Sequence, residues 1–335
     1  MNIPTVIHSG LSFINLNKPT EEQIKFLNKN FGFSMLNLED FLYKTQIPKL
    51  EIYKDYSLFV MDVPHILQSK PKEPSPIKPF LPNILTSRSF FPTFPKNPRK
   101  KRINSGEVDF FIGKDYLVVL HDDRTPQIDE VFDMCKITSK HREDLMGKGA
   151  LFLFYRLADV LVDSSYAYVE DITNTIDYID RQLEEKSSGT IIEEISTTRR
   201  NIVVFETMIK PLLPIFTDLE KGKYKELNGE MTPFWSNILD HLQKIWERLE
   251  DNKELIAGIS ESHESILANR SNELVKFFTV VTAVSFPFVI VNNLYSMNVK
   301  GLPYANEPWI VWVLFLVIAS GGVAVIAYFK YREWL

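Results

Sequence analysis

The feature that most restricts how this chain can fold is a pair of apolar runs near its C-terminus. The first extends from Leu274 to about Tyr295 and carries one full charge, Lys276, near its start. The second extends from Trp309 to about Tyr328 and carries none. Each is about 20 residues long, enough at about 1.5 Å per residue to cross a hydrocarbon core of about 30 Å. Residues 296–308 between them include Gly301, Pro303 and Pro308 and read as a reversing turn. A membrane-spanning helical hairpin is expected. Tyr295, Tyr304, Trp309, Tyr328 and Trp334 lie near the span ends, where amphipathic rings favour the interface. Arg270 and Lys276 flank the start of the hairpin, Lys330 and Arg332 its end, and the loop holds one Lys and one Glu. This bias predicts that both termini face the cytoplasm and that the loop lies outside a plasma (inner) membrane.

The first span is not uniformly apolar. Steps of three and four from Asn272 give Val275, Thr279, Thr282, Phe286, Val289, Asn293 and Ser296, a face that alternates polar and apolar groups. A polar stripe at membrane depth must meet protein or water. Several copies turning this face inward would line a narrow pore, and the same face could instead be a packing surface joined by Thr and Asn hydrogen bonds.

Other function classes find little support. The net charge of -5 argues against nucleic acid as a partner. Cys135 is the only cysteine, which excludes an internal disulfide and a cysteine-based zinc site. His8, His65, His121, His141, His241 and His263 are scattered, with no HExxH or phosphate-loop pattern, so no enzyme and no organic cofactor are expected. Asp240-His241 could be read as a metal pair, but adjacent helix residues point in different directions. The first residues lack a basic segment followed by an apolar core, so no signal peptide is expected.

The N-terminal part reads as an α/β domain over residues 1–148. Thr20 and Gln23 form a capping box ahead of Ile24 and Leu27. Ser57–Val63 and Tyr116–Leu120 are rich in β-branched and aromatic residues and read as strands. Between them, at about 67–105, lies an insertion with eight prolines from Pro71 to Pro98, closing on Arg99-Lys100-Lys101-Arg102. Proline removes backbone donors, so no regular element is expected there. Residues 149–272 read as long helices: one over 150–186, a return helix from Ile191 to about Lys221 bent or split at Pro211 and Pro214, and a last helix from Thr232 that runs unbroken into the membrane. Ile238, Leu242, Ile245, Leu249, Ile256, Ile259 and Ile266 form its bundle seam, interrupted by Asn252 and His263. The transmembrane domain occupies 273–335.

Tyr295-Ser296-Met297-Asn298 resembles the Tyr-Gly-Met-Asn signature of the CorA magnesium-channel family. Its setting strengthens the resemblance: a span before it, a short loop with Pro303, a second span, and a basic end at Tyr331-Arg332-Glu333-Trp334-Leu335. Ser271–Lys276, the mid-span Pro287, Gln46–Glu51, Tyr155–Asp163 and Asp240-His241 also resemble family segments. The resemblance implies a funnel-shaped homopentamer with a cytoplasmic α/β domain, a stalk of long helices and a two-helix transmembrane hairpin. It implies a channel that carries hydrated magnesium inward down the membrane potential and is gated by intracellular divalent cations.

Residue by residue, the resemblance assigns the selectivity filter to Tyr295, Ser296, Met297 and Asn298, with Asn298 as a ring of amide oxygens at the outer mouth. Pore-lining roles fall on Asn272, Val275, Phe278, Thr279, Thr282, Phe286, Val289 and Asn293. A neutral ring can hydrogen-bond the water shell of an ion that dehydrates reluctantly, without holding it too tightly to release. Regulatory metal positions fall on Glu261 and on Asn237, where a carboxylate is usual. Ser296 stands in place of the signature glycine, and Lys300 and Tyr304 stand where loop carboxylates are common. These departures leave open a zinc, cobalt or nickel transporter of the same fold, and a non-conducting membrane-anchored sensor.

Overall fold

The computed structural model describes residues 3–43, 47–67, 102–185, 189–297 and 307–331. The basic, proline-rich stretch, Asn298 and most of the loop that follows it lie outside the described residues. Two compact units are present, residues 1–258 and 259–335.

The first unit is built on a six-stranded sheet. Its strands are β1 (Thr5–His8), β2 (Leu11–Asn17), β3 (Lys49–Ile52), β4 (Ser57–Leu67), β5 (Arg102–Ile112) and β6 (Tyr116–His121). Their spatial order is β1-β2-β6-β5-β4-β3, antiparallel throughout except for the parallel pair β2 and β6. The two strands expected from the sequence are present as β4 and β6, and β4 runs past Val63 to Leu67. The β4–β5 ladder runs from Ser57↔Ile112 to Leu67↔Arg102. Residues 102–105, at the end of the expected insertion, therefore belong to β5. Backbone pairing continues through polar Asn104 and Ser105 because ladder bonds do not depend on side-chain hydrophobicity.

Strand alternation gives the sheet two apolar faces. One face, with Ile14, Leu16, Leu58, Val60, Phe111, Val118 and Leu120, is covered by α1 (Glu21–Phe31) and α2 (Met35–Tyr43) through Ile24, Leu27, Leu38 and Phe41. Thr20 caps α1 with the full capping box, and Gly32 ends it in the left-handed conformation that glycine tolerates. The opposite face presents Phe13, Phe59 and Phe110. Phe13 meets Phe132 of α3 (Pro126–Ile137), with ring centroids 5.0 Å apart.

Beyond α4 (Ser139–Met146), Gly149 at φ 92° lets the chain turn into α5 (Ala150–Glu185). Phe154 of α5 packs edge-on against both Phe59 and Phe110, each at 5.1 Å. The return segment is split, as its prolines suggested, into α6 (Gly189–Ile209) and α7 (Leu212–Glu220). The division falls at Pro211, which has no N–H to continue the ladder. Phe216 of α7 completes the aromatic cluster on Phe59 at 5.6 Å. The long helices and the sheet thus share one core within residues 1–258.

The last long helix, α8, runs without a break from Thr232 to Ser296. Its first turns are anchored by fully buried Trp235, whose Nε1 donates to the Leu227 carbonyl at 3.0 Å. Ile238, Leu242, Ile245, Leu249 and Ile256 are all fully buried, so the seam expected from their spacing exists. Asn252 interrupts it but is satisfied, exchanging hydrogen bonds with the Thr173 hydroxyl of α5 at 3.0 and 3.2 Å. In the second unit, the last part of α8 and α9 (Trp309–Tyr331) are the two helices long and apolar enough to cross a membrane.

Candidate functional site

Within the membrane unit, α8 and α9 touch along one line. Val280 is buried, and Val284, Phe288, Val291 and Tyr295 are half-buried. Gly322 of α9 makes the approach possible, since a Cβ there would lie 3.1 Å from Val284 Cγ1. Phe288 meets Phe315 with centroids 5.8 Å apart. Advancing about 100° per residue, these contact positions cluster roughly 180° from the line through Asn272, Val275, Thr279, Thr282, Phe286, Val289, Asn293 and Ser296. The polar stripe is therefore the face of α8 turned directly away from α9. All of its members are exposed within the chain.

An open groove runs along this side, lined by Val275, Phe278, Thr279, Thr282, Ala283, Phe286 and Pro287. Pro287 lacks an N–H, so the Ala283 carbonyl has no helix partner one turn ahead. The hydroxyls on the stripe all make one kind of bond. Thr279 Oγ1 donates to the Val275 carbonyl at 2.8 Å, Thr282 Oγ1 to Phe278 at 2.8 Å, and Ser296 Oγ to Asn292 at 2.7 Å. Such back-bonding satisfies the hydroxyl proton inside the helix and leaves the oxygen lone pairs outward.

Of the four residues expected to form the filter, the three that are described do not fall on one face. Ser296, the last residue of α8, continues the stripe. Tyr295 lies in line with Val284, Phe288 and Val291, on the α9 side, because one residue's step turns the helix by about 100°. Met297 is exposed just past the helix, its N–H reaching the Leu294 carbonyl at 3.4 Å. Asn298 lies outside the described residues. Ser296 takes up helical backbone without the positive φ that a glycine would permit.

A second cluster lies in the first unit, and of its members sequence reasoning had named only Asn237 as a regulatory position. Asp159 and Asp163 stand one turn apart on α5, opposite Asn237 and His241, one turn apart on α8. His241 Nδ1 is 2.8 Å from Asp163 Oδ1, and Asn237 Nδ2 donates to Asp159 Oδ1 at 3.1 Å. One ligand atom from each of Asp159, Asp163 and His241 lies within 4.8 Å of the others. Burial, then the neighbouring Asp163 charge, raises the Asp159 carboxyl above its ordinary range, against the pull of Arg156, His241 and Asn237. The signal was the matched spacing of two pairs on two helices, invisible until the helices are placed side by side. Asp240, adjacent to His241, is exposed and takes no part. Glu261, the other expected regulatory position, is exposed. Along α5, Glu170, Asp177 and Asp180 are exposed too, a solvated acidic face.

Comparison with known proteins decides the family. The description "CorA-like Mg2+ transporter protein" matches residues 83–331. The chain belongs to that family. It is 24% identical to the cobalt/magnesium transport protein CorA of Thermotoga maritima over 99% of this chain and 88% of the relative. It is 22% identical to the zinc transport protein ZntB of Pectobacterium atrosepticum, over 53% of this chain and 54% of that one. Its fold matches the complete structure of the CorA magnesium transporter from Methanocaldococcus jannaschii, with a TM-score of 0.73 at 16% identity, covering 98% of this chain and 93% of that one. This CorA-like chain is an integral membrane protein and a divalent-cation transporter rather than an enzyme.

Proposed function

We propose that this CorA-like protein carries hydrated magnesium into the cytoplasm through a pore lined by the exposed stripe of α8, in a symmetric homopentamer with both termini cytoplasmic. The observation that carries the reading is the placement of the stripe diametrically opposite the α9 contact. A hairpin buried in lipid would leave Thr279, Thr282 and Asn293 unsolvated unless other copies enclosed them around water. Val275, Phe278, Phe286 and Val289 alternate with these groups and narrow the path. The membrane potential drives entry, since a divalent ion gains about 4.6 kcal/mol per 100 mV. The α8 C-terminus places partial negative charge at the outer mouth, which favours a cation. Asn298 supplies the amide ring that holds the ion's water shell.

Gating by intracellular divalent cations falls on the Asp159, Asp163 and His241 cluster. An imidazole with two carboxylates suits cobalt, nickel or zinc better than magnesium, which prefers oxygen alone. That donor set, and the zinc-transporting relative, favour as second reading a transporter of these ions.

The test is ion entry into liposomes carrying the full chain, with a magnesium dye inside and a negative interior potential. Magnesium entry that is abolished by Asn298→Ala, with the oligomer intact by size exclusion, is expected. Zinc or nickel entry without magnesium moves the assignment to the second reading, and no flux of any ion leaves a sensor.

A further inference from the structure

The stripe hydroxyls are not interchangeable with free hydroxyls, and Ser296 is the member that this chain carries where glycine is usual in the family it resembles. A free hydroxyl can donate or accept. In Thr279, Thr282 and Ser296 the proton is committed to a carbonyl one turn back, at 2.7 to 2.8 Å. What each presents outward is an oxygen with lone pairs only. Water around a cation points its oxygens inward and its hydrogens outward, so the surface of a hydrated cation is a shell of donors. Water around an anion is turned the other way and needs donors from the wall. A wall of acceptors therefore receives one and not the other.

We propose that Thr279, Thr282 and Ser296 form an acceptor-only ladder that recognises the donor shell of a hydrated divalent cation, with Ser296 adding a ring of hydroxyl oxygens at the mouth end of α8. The inference rests on the pore reading above and specifies how that pore tells its substrate from an anion. Ser296 is well placed for this role. It is exposed, it continues the stripe, and it stands at the C-terminal end of α8, where the helix dipole places partial negative charge. The serine therefore strengthens the acceptor character of the mouth at the last helical residue of α8. Asn272 and Asn293 are the only stripe members with side-chain N–H groups to offer.

The probe is cobalt hexaammine, whose fixed shell is made of N–H donors alone. Full-length protein in liposomes is assayed for magnesium entry and for the external hexaammine concentration that halves it. Ser296→Ala is expected to raise that concentration about tenfold, the effect of one lost hydrogen bond to a charged species. Ser296→Thr, which can back-bond in the same way, is expected to restore it. The double variant Thr279→Val, Thr282→Val is expected to lower magnesium entry about tenfold, with recovery when both positions are Ser. Ser320→Ala, which removes a back-bonded hydroxyl from α9, is the control and is expected to change neither readout. Ser296→Gly replaces the alanine variant if alanine disturbs the oligomer.

Separately, Thr282→Cys is treated with a cationic, water-soluble thiol reagent. The native Cys135 is fully buried, and burial pushes its thiol up to about 11, so it stays silent. Block of Thr282→Cys upholds the pore. Unchanged half-block in Ser296→Ala and unchanged entry in the valine variant, with Thr282→Cys still blocked, would overturn the acceptor ladder and leave the pore standing. Failure of the reagent to affect Thr282→Cys would remove the pore reading and the ladder with it.

Discussion

The two units of this chain satisfy their apolar residues in opposite ways. In residues 1–258, Phe13, Phe33, Phe59, Phe110, Phe111, Phe154, Phe205, Phe216 and Trp235 are almost entirely withdrawn from solvent by the chain's own packing. In residues 259–335, Leu274, Phe277, Phe278, Val281, Trp312, Leu316 and Val317 stay exposed. Their helices touch along a single line at Val280, Val284 and Gly322. The first unit is stabilised by removing apolar area from water. The second is written for a solvent in which that driving force is absent between helices, so close approach at small residues and polar contacts take its place. Polar groups carry opposite meanings as a result. In the first unit Asn252 is an exception answered by Thr173. In the second, Thr279, Thr282 and Ser296 lie on one stripe and, among the described residues, bond only within their own helix.

The contrast can be broken first where it is sharpest. Trp235→Ala should destabilise the first unit by about 3–5 kcal/mol, because it opens a cavity under Phe154 and Phe216. Chemical unfolding of the full chain in detergent, followed by near-ultraviolet circular dichroism, measures this. A loss under about 1 kcal/mol would show that the core is less closely packed than described.

Gly322→Leu should cost about 1–3 kcal/mol in the hairpin by forcing α9 off Val284. Far-ultraviolet signal from the first unit should be unchanged. Thermal aggregation of the solubilised protein is the readout, and an unshifted onset would mean that the helix pair is not held at this contact.

Asn252→Ala should cost about 1 kcal/mol by removing the bonds exchanged with half-buried Thr173, whose hydroxyl keeps the Val169 carbonyl at 3.1 Å, whereas Asn252→Leu combined with Thr173→Val should recover most of that loss. Equal losses in both variants would mean that the amide matters for its shape rather than its hydrogen bonds.

The smallest effect concerns Asp159. Its folded carboxyl is held above its ordinary range, so ionising it disfavours the folded state. This penalty is absent at pH below the ordinary carboxylate range. It grows as pH rises towards the raised folded value and is constant above it. Asp159→Asn should therefore stabilise the protein by about 1 kcal/mol or less near neutral pH and leave it unchanged in acid. Unfolding midpoints from pH 4 to 8 test the sign. Stabilisation of the unsubstituted chain by cobalt or nickel, lost in Asp159→Asn, would tie the penalty to a cation site.

How legible each region was follows from the range of the signal. The α1 cap, the strands β4 and β6, the split at Pro211 and the α8 seam depend on neighbours a few residues apart, and each could be read directly. The length of the β4–β5 ladder could not, because backbone pairing carried it past the apolar residues. Tyr295 was grouped with Ser296 because they adjoin in sequence, yet helix geometry sends them to different faces. The Asp159, Asp163, Asn237 and His241 cluster joins residues about 80 positions apart.

By itself, the sequence determined that this chain enters a membrane twice, that its first span carries a polar stripe, and which family it resembles. Those properties follow from hydrophobic period and length, which one strand of text contains. Only the tertiary structure decided that the stripe faces directly away from α9, that its hydroxyl protons are turned inward, and that two carboxylates meet an imidazole across α5 and α8. Those depend on which faces pack, and packing is a property of surfaces brought together rather than of residues in order.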